Sequence, residues 1–213
     1  MTWLFLTYVS GGMGFFDLGL RSINVSGINE VLTGYGYDAL PSTFLSMGGF
    51  GYSLHGKILL GGGGYSFNTG TIKSKDRIFS ISGGAGFFEA GYMITRLGPV
   101  RLFPILSIGG GGISLTISDT AGVSFDDIVQ EGQFRQMNLE GGHVAIGGRL
   151  MGIIPLSRTP AGNLALTISA GYTYSPEFSL TSPYVSISDA PTASISGFYF
   201  SIGVGGGYMK EEK

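Results

Sequence analysis

The sequence predicts an all-β protein: a single closed, antiparallel, up-and-down transmembrane β-barrel of eight strands that takes up residues 1–213 as one domain. The chain has 213 residues, which is the size of one domain. Large apolar residues alternate with small or polar ones along many segments, and the connections between these segments alternate in length. Charged residues make up only 12% of the chain, about half of what a soluble domain usually carries.

Alternation with a period of two is the strongest local pattern, and it predicts strands because successive side chains of a strand point to opposite faces. It is clearest at 163–175, where Leu164, Leu166 and Ile168 share one face, and Ala165 and Thr167 lie on the other. The same criterion, together with a two-residue hairpin at His55 and Gly56, gives eight strands. They are predicted at 3–20, 43–54, 57–67, 77–95, 100–117, 141–155, 163–175 and 195–209.

The connections between the predicted strands alternate between long and short. This alternation is typical of an up-and-down barrel, which places its long loops at one end and its short turns and both termini at the other. In the first long loop, the sequence of residues 28–32 favours a short helix, with Ser26 as its N-cap and Gly34 as its end. The long connections are 21–42, 68–76, 118–140 and 176–194, and the short ones are 55–56, 96–99 and 156–162.

The bulky apolar face is predicted to point outward into lipid. Over most of its length it lacks Lys, Glu, Gln and Asn. A surface in contact with water would not tolerate such a continuous apolar face. In lipid every backbone polar group must be paired, so the sheet has to close. Aromatic residues near strand ends then form two interface girdles, although Tyr and Phe are also ordinary strand formers. The predicted interface aromatics are Tyr8, Tyr52, Tyr65, Phe67, Tyr172, Tyr174, Phe198 and Tyr208.

In strand pattern, loop alternation and the late aromatic Tyr208, the chain resembles the small eight-stranded outer-membrane barrels of Gram-negative bacteria, the group around outer membrane proteins A, X and W. The resemblance implies a place in the bacterial outer membrane, with the lipid bilayer as partner and lipopolysaccharide or another envelope protein as further candidates. Members of that group usually end on an aromatic residue, whereas this chain continues through 209–213. The N-terminus lacks the features of a signal peptide, so we expect that signal to lie outside this sequence.

The composition excludes several kinds of chemistry. With no cysteine, disulfides and thiolate ligands are impossible. The basic residues are scattered, which is unlike a nucleic-acid binder. Residues 51–58 nearly match a phosphate-binding loop, but Ile58 stands where a hydroxyl is needed. His55 and His143 are too few and too far apart for a histidine-based metal site. We therefore predict no cofactor and no metal.

Five charged or titratable residues fall on the predicted inner face. Because unpaired buried charges are costly, we predict that they form an ion-pair network that fills and rigidifies the lumen. The alternative is that each charge meets lumen water alone. An enzyme would instead need His143 beside a serine and a carboxylate. The predicted lumenal set is Asp17, Glu89, Arg101, Arg149 and His143.

These features favour a non-catalytic barrel that acts in membrane anchoring or integrity, or in surface contacts through its long loops. One alternative is a narrow conduit or binding barrel for small apolar molecules, since inner-face glycines leave room. A lipid-modifying enzyme and a soluble lipocalin-type barrel are further alternatives. The predicted loop contacts are the segment 176–194 and the residues Asp126, Asp127, Glu131, Arg135 and Glu140.

Overall fold

The computed structural model describes residues 8–119, 136–159, 162–182 and 188–212. Within them the chain forms twelve strands and one helix. The elements in chain order are β1 Tyr8–Ser22, α1 Ser26–Gly34, β2 Thr43–His55, β3 Ile58–Asn68, β4 Ile72–Ser74, β5 Arg77–Tyr92, β6 Thr95–Leu97, β7 Val100–Asp119, β8 Gln136–Thr159, β9 Gly162–Tyr174, β10 Phe178–Ser179, β11 Thr192–Ala193 and β12 Gly197–Glu212.

Eight of these strands close into an antiparallel barrel in the order β1, β2, β3, β5, β7, β8, β9, β12, with β12 paired back to β1. A path through paired residues from Gly11 on β1 runs once around the sheet and returns to β1 at Arg21. The barrel therefore closes with a stagger of ten residues. With ordinary strand spacings this gives a strand tilt of about 40° and a radius of about 8 Å. Such an interior has room for side chains.

The predicted fold class and the number of barrel strands are confirmed, and several strand ends differ. The first strand is described from Tyr8, and residues 1–7 lie outside the described part. The strand predicted at 77–95 ends at Tyr92, and Thr95–Leu97 forms a separate short strand that pairs with the start of β7. β8 extends beyond 141–155 at both ends. Its pairing with β9 shifts register between Pro155 and Ser157, near its C-terminal end, because proline has no N–H to donate to the neighbouring strand.

The helix predicted at 28–32 is α1, and it ends at Gly34 as expected. The N-cap prediction was wrong, because Val25 occupies that position and Ser26 is the first helical residue. Asn24 Oδ1 accepts hydrogen bonds from the backbone N–H and the hydroxyl of Ser26. The side-chain oxygen that satisfies the N–H of the first helical residue therefore comes from Asn24 and not from Ser26. No helix within the described residues has the length and apolar character needed to cross a membrane.

The outer wall of the barrel is apolar. Each of the eight barrel strands exposes at least two large hydrophobic side chains, and the exposed fraction reaches 75% at Leu106 and 73% at Phe198. So much exposed apolar surface is unfavourable in water and matches the hydrocarbon band of a membrane barrel. The protein is a transmembrane β-barrel, and its outer apolar wall does not fit the soluble alternative.

On β2 and β3 the large aromatic residues point the opposite way from the prediction. Tyr52, Tyr65 and Phe67 are buried in the lumen, with exposed fractions of 5%, 7% and 4%. Leu45, Met47, Ile58 and Leu60 occupy the outer face instead. Both faces of these strands are apolar, so alternation alone does not say which one is inside.

Inward-facing glycines make room for these rings. Tyr52 pairs with Gly61, and Phe67 pairs with Gly83. A methyl group at Gly83 would lie 2.6 Å from the Phe67 ring, and one at Gly61 would lie 2.7 Å from the Tyr52 ring. The high glycine content thus lets aromatic side chains lie flat against the opposite strand inside a narrow barrel.

Candidate functional site

The lumen contains two apolar layers with polar groups between them. One apolar cluster lies at the short-turn end and includes Phe15, Leu59, Phe103 and Ile153. The other lies at the long-loop end and continues from the barrel into the folded loops. Between these clusters lie buried polar residues that we call the polar belt, and four of them are charged: Asp17, Arg21, Glu89 and Arg149. The belt consists of Asp17, Arg21, Ser46, Tyr52, Tyr65, Glu89, Arg149, Thr167, Ser169, Thr173, Tyr199 and Ser201, all of which are buried.

A cross-lumen contact joins three strands that are not neighbours in the sheet. Arg149 on β8 donates from Nη2 to Glu89 Oε2 on β5 at 2.5 Å, and both side chains are only 3% exposed. Tyr52 on β2 donates its hydroxyl to the same carboxylate oxygen and accepts from Arg149 Nη2. The Arg149 guanidinium also lies 4.6 Å from the centre of the Phe50 ring. These contacts tie β2, β5 and β8 together through the middle of the barrel.

A second arginine lies between two aromatic rings. The Arg21 guanidinium carbon is 3.5 Å from the centre of the Tyr65 ring and 4.0 Å from that of Tyr199. Such stacking stabilises a desolvated guanidinium. Arg21 Nε has no hydrogen-bond partner among the described residues, and the same holds for Arg149 Nε. For both arginines the aromatic faces therefore supply part of the stabilisation that water would otherwise give.

Asp17 is held by a short chain of hydroxyls. The Ser201 hydroxyl donates to Asp17 Oδ2 at 2.8 Å, and Ser201 Oγ lies 2.8 Å from Ser169 Oγ. Asp17 lies four residues before Arg21 on the inner face of β1. The two acids and two arginines of the polar belt have equal and opposite formal charge, so the belt carries no excess charge that would attract an ion.

The carboxylates and guanidinium groups of the polar belt are bonded mainly to other residues of the belt. The described residues contain no group of three or more His, Asp or Glu side chains that would hold a metal ion. The carboxylates of Asp17 and Glu89 are occupied by Ser201, Tyr52 and Arg149. Charge-assisted hydrogen bonds across a narrow lumen fix the distance between opposite walls. The polar belt therefore links strands on opposite sides of the lumen.

The structure brings only part of the predicted lumenal set together. Glu89 and Arg149 are in contact, and Asp17 lies in the same belt. Arg101 is buried at the short-turn end of β7, where it pairs in register with Ile153. His143 pairs in register with Gly111, and its side chain is exposed. Among the described residues no hydrogen bond joins His143 to a serine or a carboxylate, so no catalytic triad is assembled there.

Sequence reasoning missed Arg21, Tyr199 and the inward role of Tyr52 and Tyr65. The predicted first strand stopped at residue 20, one residue short of Arg21. A signal was available, since Arg21 shares the parity of Asp17 and a strand carried to Ser22 would have placed both on one face. For the tyrosines no such signal exists in the alternation.

The predicted interface aromatics on the later strands point outward. Tyr172, Tyr174, Phe198 and Tyr208 are all exposed, and the rings of Tyr172 and Phe198 meet edge to face at 4.8 Å. The side chain of Tyr8 lies outside the described part. Tyr208 lies toward the short-turn end, whereas the others lie toward the long loops, so the outer wall has aromatic side chains near both rims.

The first long loop and the described part of the last one form a folded cap at the long-loop end. Ile28 and Leu32 of α1 are buried in the apolar cluster at this end, together with Leu180 and Ile195. Asn24 and Ser194 exchange two backbone hydrogen bonds of 3.0 and 2.9 Å. The side chain of Asn29 donates to Leu40 O at 3.0 Å and accepts from Leu40 N at 2.8 Å. The first long loop, residues 23–42, is thus tied to the last one near Ser194.

Among the predicted loop contacts, Glu140 lies within β8 and is exposed. Its backbone exchanges two hydrogen bonds with Thr181, which attaches the last long loop to the barrel wall. Asp126, Asp127, Glu131 and Arg135 lie outside the described residues.

No protein-family model matches the chain, and no curated protein matches its sequence. Similar solved structures include Ail, the attachment invasion locus protein of Yersinia pestis, at 15% identity and a TM-score of 0.43 over 96% of this chain and 99% of that one. The outer membrane protein OprG from Pseudomonas aeruginosa shows 14% identity and a TM-score of 0.45 over 94% of each chain. Neisserial surface protein A shows 15% and 0.42 over 93% of this chain and 97% of that one. At such low values the fold assignment depends on the strand pairing above, and the likenesses carry no functional argument.

Proposed function

We propose that this chain is a non-catalytic barrel of the bacterial outer membrane that holds its long loops as a rigid surface for contacts outside the cell. The observation that carries the proposal is the folded cap. α1 and the last long loop bury apolar residues against the barrel mouth, and they are joined by paired backbone hydrogen bonds. Loops that merely connect strands do not need such order.

The lumen supports the same proposal. Its described residues fill the interior with two apolar layers and a braced polar belt, and α1 lies over the long-loop end. A barrel used for transport would keep a water-filled path. The side chains here rigidify the wall, and a rigid wall fixes the positions of the loops. Lipopolysaccharide or another envelope protein are the partners that this location would offer.

A labelling experiment can determine which end of the barrel faces the outside of the cell. Because the chain has no cysteine, a single introduced cysteine is the only thiol that can react. Tyr35, just after α1, is 77% exposed, and Pro99 lies in the turn between β6 and β7 at the other end. On intact bacteria a membrane-impermeant maleimide should modify Tyr35→Cys and leave Pro99→Cys unmodified, with both reacting after lysis. Labelling of Pro99→Cys alone would place the cap on the wrong side and refute a surface role.

Conductance in planar bilayers tests whether the lumen is closed to ions. We expect the folded barrel to give no stable conductance above that of the bare bilayer. A stable single-channel current, present in the folded protein and lost after heat denaturation, would show a continuous path and contradict the structural part of the proposal. Incubation with phospholipid vesicles tests catalysis: hydrolysis that His143→Ala abolishes would refute the non-catalytic assignment.

A further inference from the structure

Among the side chains that the structure describes, those at the two ends of the barrel carry opposite net charge. In the described residues the long-loop end has seven acids, Glu30, Asp38, Asp76, Asp119, Glu140, Glu177 and Asp189, against Lys73, Lys75 and Arg77. The side chains described at the short-turn end include the bases Lys57, Arg96 and the buried Arg101, and no acid. Charges of one sign at a membrane boundary favour headgroups of the opposite sign.

The hairpin between β2 and β3 places several hydrogen-bond donors next to the apolar wall. Ser53 Oγ and His55 Nε2 lie 2.9 Å apart, and both side chains are exposed. Lys57 follows in the turn, with Nζ 6.0 Å from the centre of the Tyr92 ring. No acidic residue among those described forms an ion pair with Lys57. Its ammonium group is therefore available to a ligand.

The position of this hairpin fits the depth of a lipid headgroup. Ile58 follows Lys57 directly and is 50% exposed on the outer wall, where it pairs in register with Tyr92, also 50% exposed. A lysine next to outward Ile and Tyr side chains lies where the hydrocarbon band ends. Gly56 has a left-handed φ of +64°, so the turn is tight and carries no side chain beside Lys57.

We propose that His55, Lys57 and Ser53 form a binding site for the phosphate of an anionic phospholipid headgroup in the leaflet at the short turns. Lys57 supplies the positive charge. The hydrogen-bonded pair of Ser53 and His55 supplies one further donor, since the other is used within the pair. This proposal rests on the barrel spanning a bilayer and is independent of the surface role of the loops.

The test compares the affinity of the folded barrel in detergent for phosphatidylglycerol and for phosphatidylcholine by native mass spectrometry. The unsubstituted protein should prefer phosphatidylglycerol, and Lys57→Gln should bind it about fivefold more weakly, the equivalent of about 1 kcal/mol for one basic residue at the membrane surface. His55→Asn should reduce the same affinity without the loss of a lysine. Migration before and after heating confirms that each variant is folded.

Lys75→Gln is the matched control. Lys75 also lies in a hairpin turn beside a tyrosine, with Nζ 5.3 Å from the Tyr37 ring centre, but at the long-loop end. It lies in the turn between β4 and β5. It should bind phosphatidylglycerol like the unsubstituted protein. Equal affinities for Lys57→Gln and the unsubstituted protein, or equal losses in both lysine variants, would each overturn the proposal.

Discussion

Replacement of Glu89 by Gln should destabilise the folded barrel strongly. The substitution keeps the shape of the side chain but removes the charge that faces Arg149 at 2.5 Å, at a point where both side chains are 3% exposed. At an effective dielectric constant of 20, two unit charges at that distance attract each other by about 7 kcal/mol before the cost of desolvation. Since that cost has already been met by burying Arg149, we expect a net loss of about 3 kcal/mol in the free energy of unfolding.

Urea unfolding in lipid vesicles, followed by the shift between folded and unfolded bands on a gel, measures this loss. Asp119→Asn is the matched control, because Asp119 pairs with Arg77 at 2.8 Å while the two side chains are 29% and 38% exposed. A surface pair of that kind contributes at most about 1 kcal/mol. The double variant Glu89→Gln with Arg149→Met should recover part of the stability, since no unpaired charge remains. If Glu89→Gln costs no more than Asp119→Asn, the bracing role of the polar belt is refuted.

Two further predictions concern packing. Gly171→Ala should lower the free energy of unfolding by about 1–3 kcal/mol, because the added methyl would lie 2.6 Å from Arg149 Cβ and 2.9 Å from the Tyr199 ring. Gly51→Ala is its control: the added methyl meets no atom within 4 Å, so this variant should be as stable as the unsubstituted protein in the same urea titration. Ile28→Ala should loosen the cap, because Ile28 is 1% exposed and truncation of a buried aliphatic side chain costs about 2–5 kcal/mol. Limited proteolysis of the folded barrel should then cut residues 23–42 faster than in Val31→Ala, and equal rates would contradict the assignment of Ile28 to the cap core.

The fold was predictable because a membrane barrel imposes simple constraints. In β9 the outward residues are large and the inward ones small, as at Ile168 between Thr167 and Ser169, so one alternation gives both the strand and its faces. The lengths of the connections then fix which end carries the loops. Closure follows from the need to pair every backbone group in lipid.

The faces of β2 and β3 were not predictable by the same argument. There Phe50 and Tyr52 point inward while Met47 and Leu45 point outward, and all four are large and apolar. What decides the direction is the complementary glycine on the next strand, such as Gly61 opposite Tyr52. That complementarity depends on register between strands, which a single segment does not contain.

The polar belt also limits what the lumen can transport. A small apolar molecule that entered from the long-loop end would have to displace Ile28 and Leu32 of α1, and it would then meet the stacked Arg21 and the Arg149–Glu89 pair before it reached the second apolar layer. To pass, it would have to break a buried ion pair, which costs several kcal/mol and which an apolar solute cannot repay with hydrogen bonds. The conduit hypothesis therefore requires an exit through the wall above the belt, and so requires some of the hydrogen bonds between neighbouring strands in that part of the wall to open. Those strands pair continuously in the described residues, including β1 with β2 from Ser10 to Ser22 and β7 with β8 from Arg101 to Ser118. Continuous strand pairing in the walls and the buried ion pair at the centre thus support the proposed loop-holding role over the conduit hypothesis.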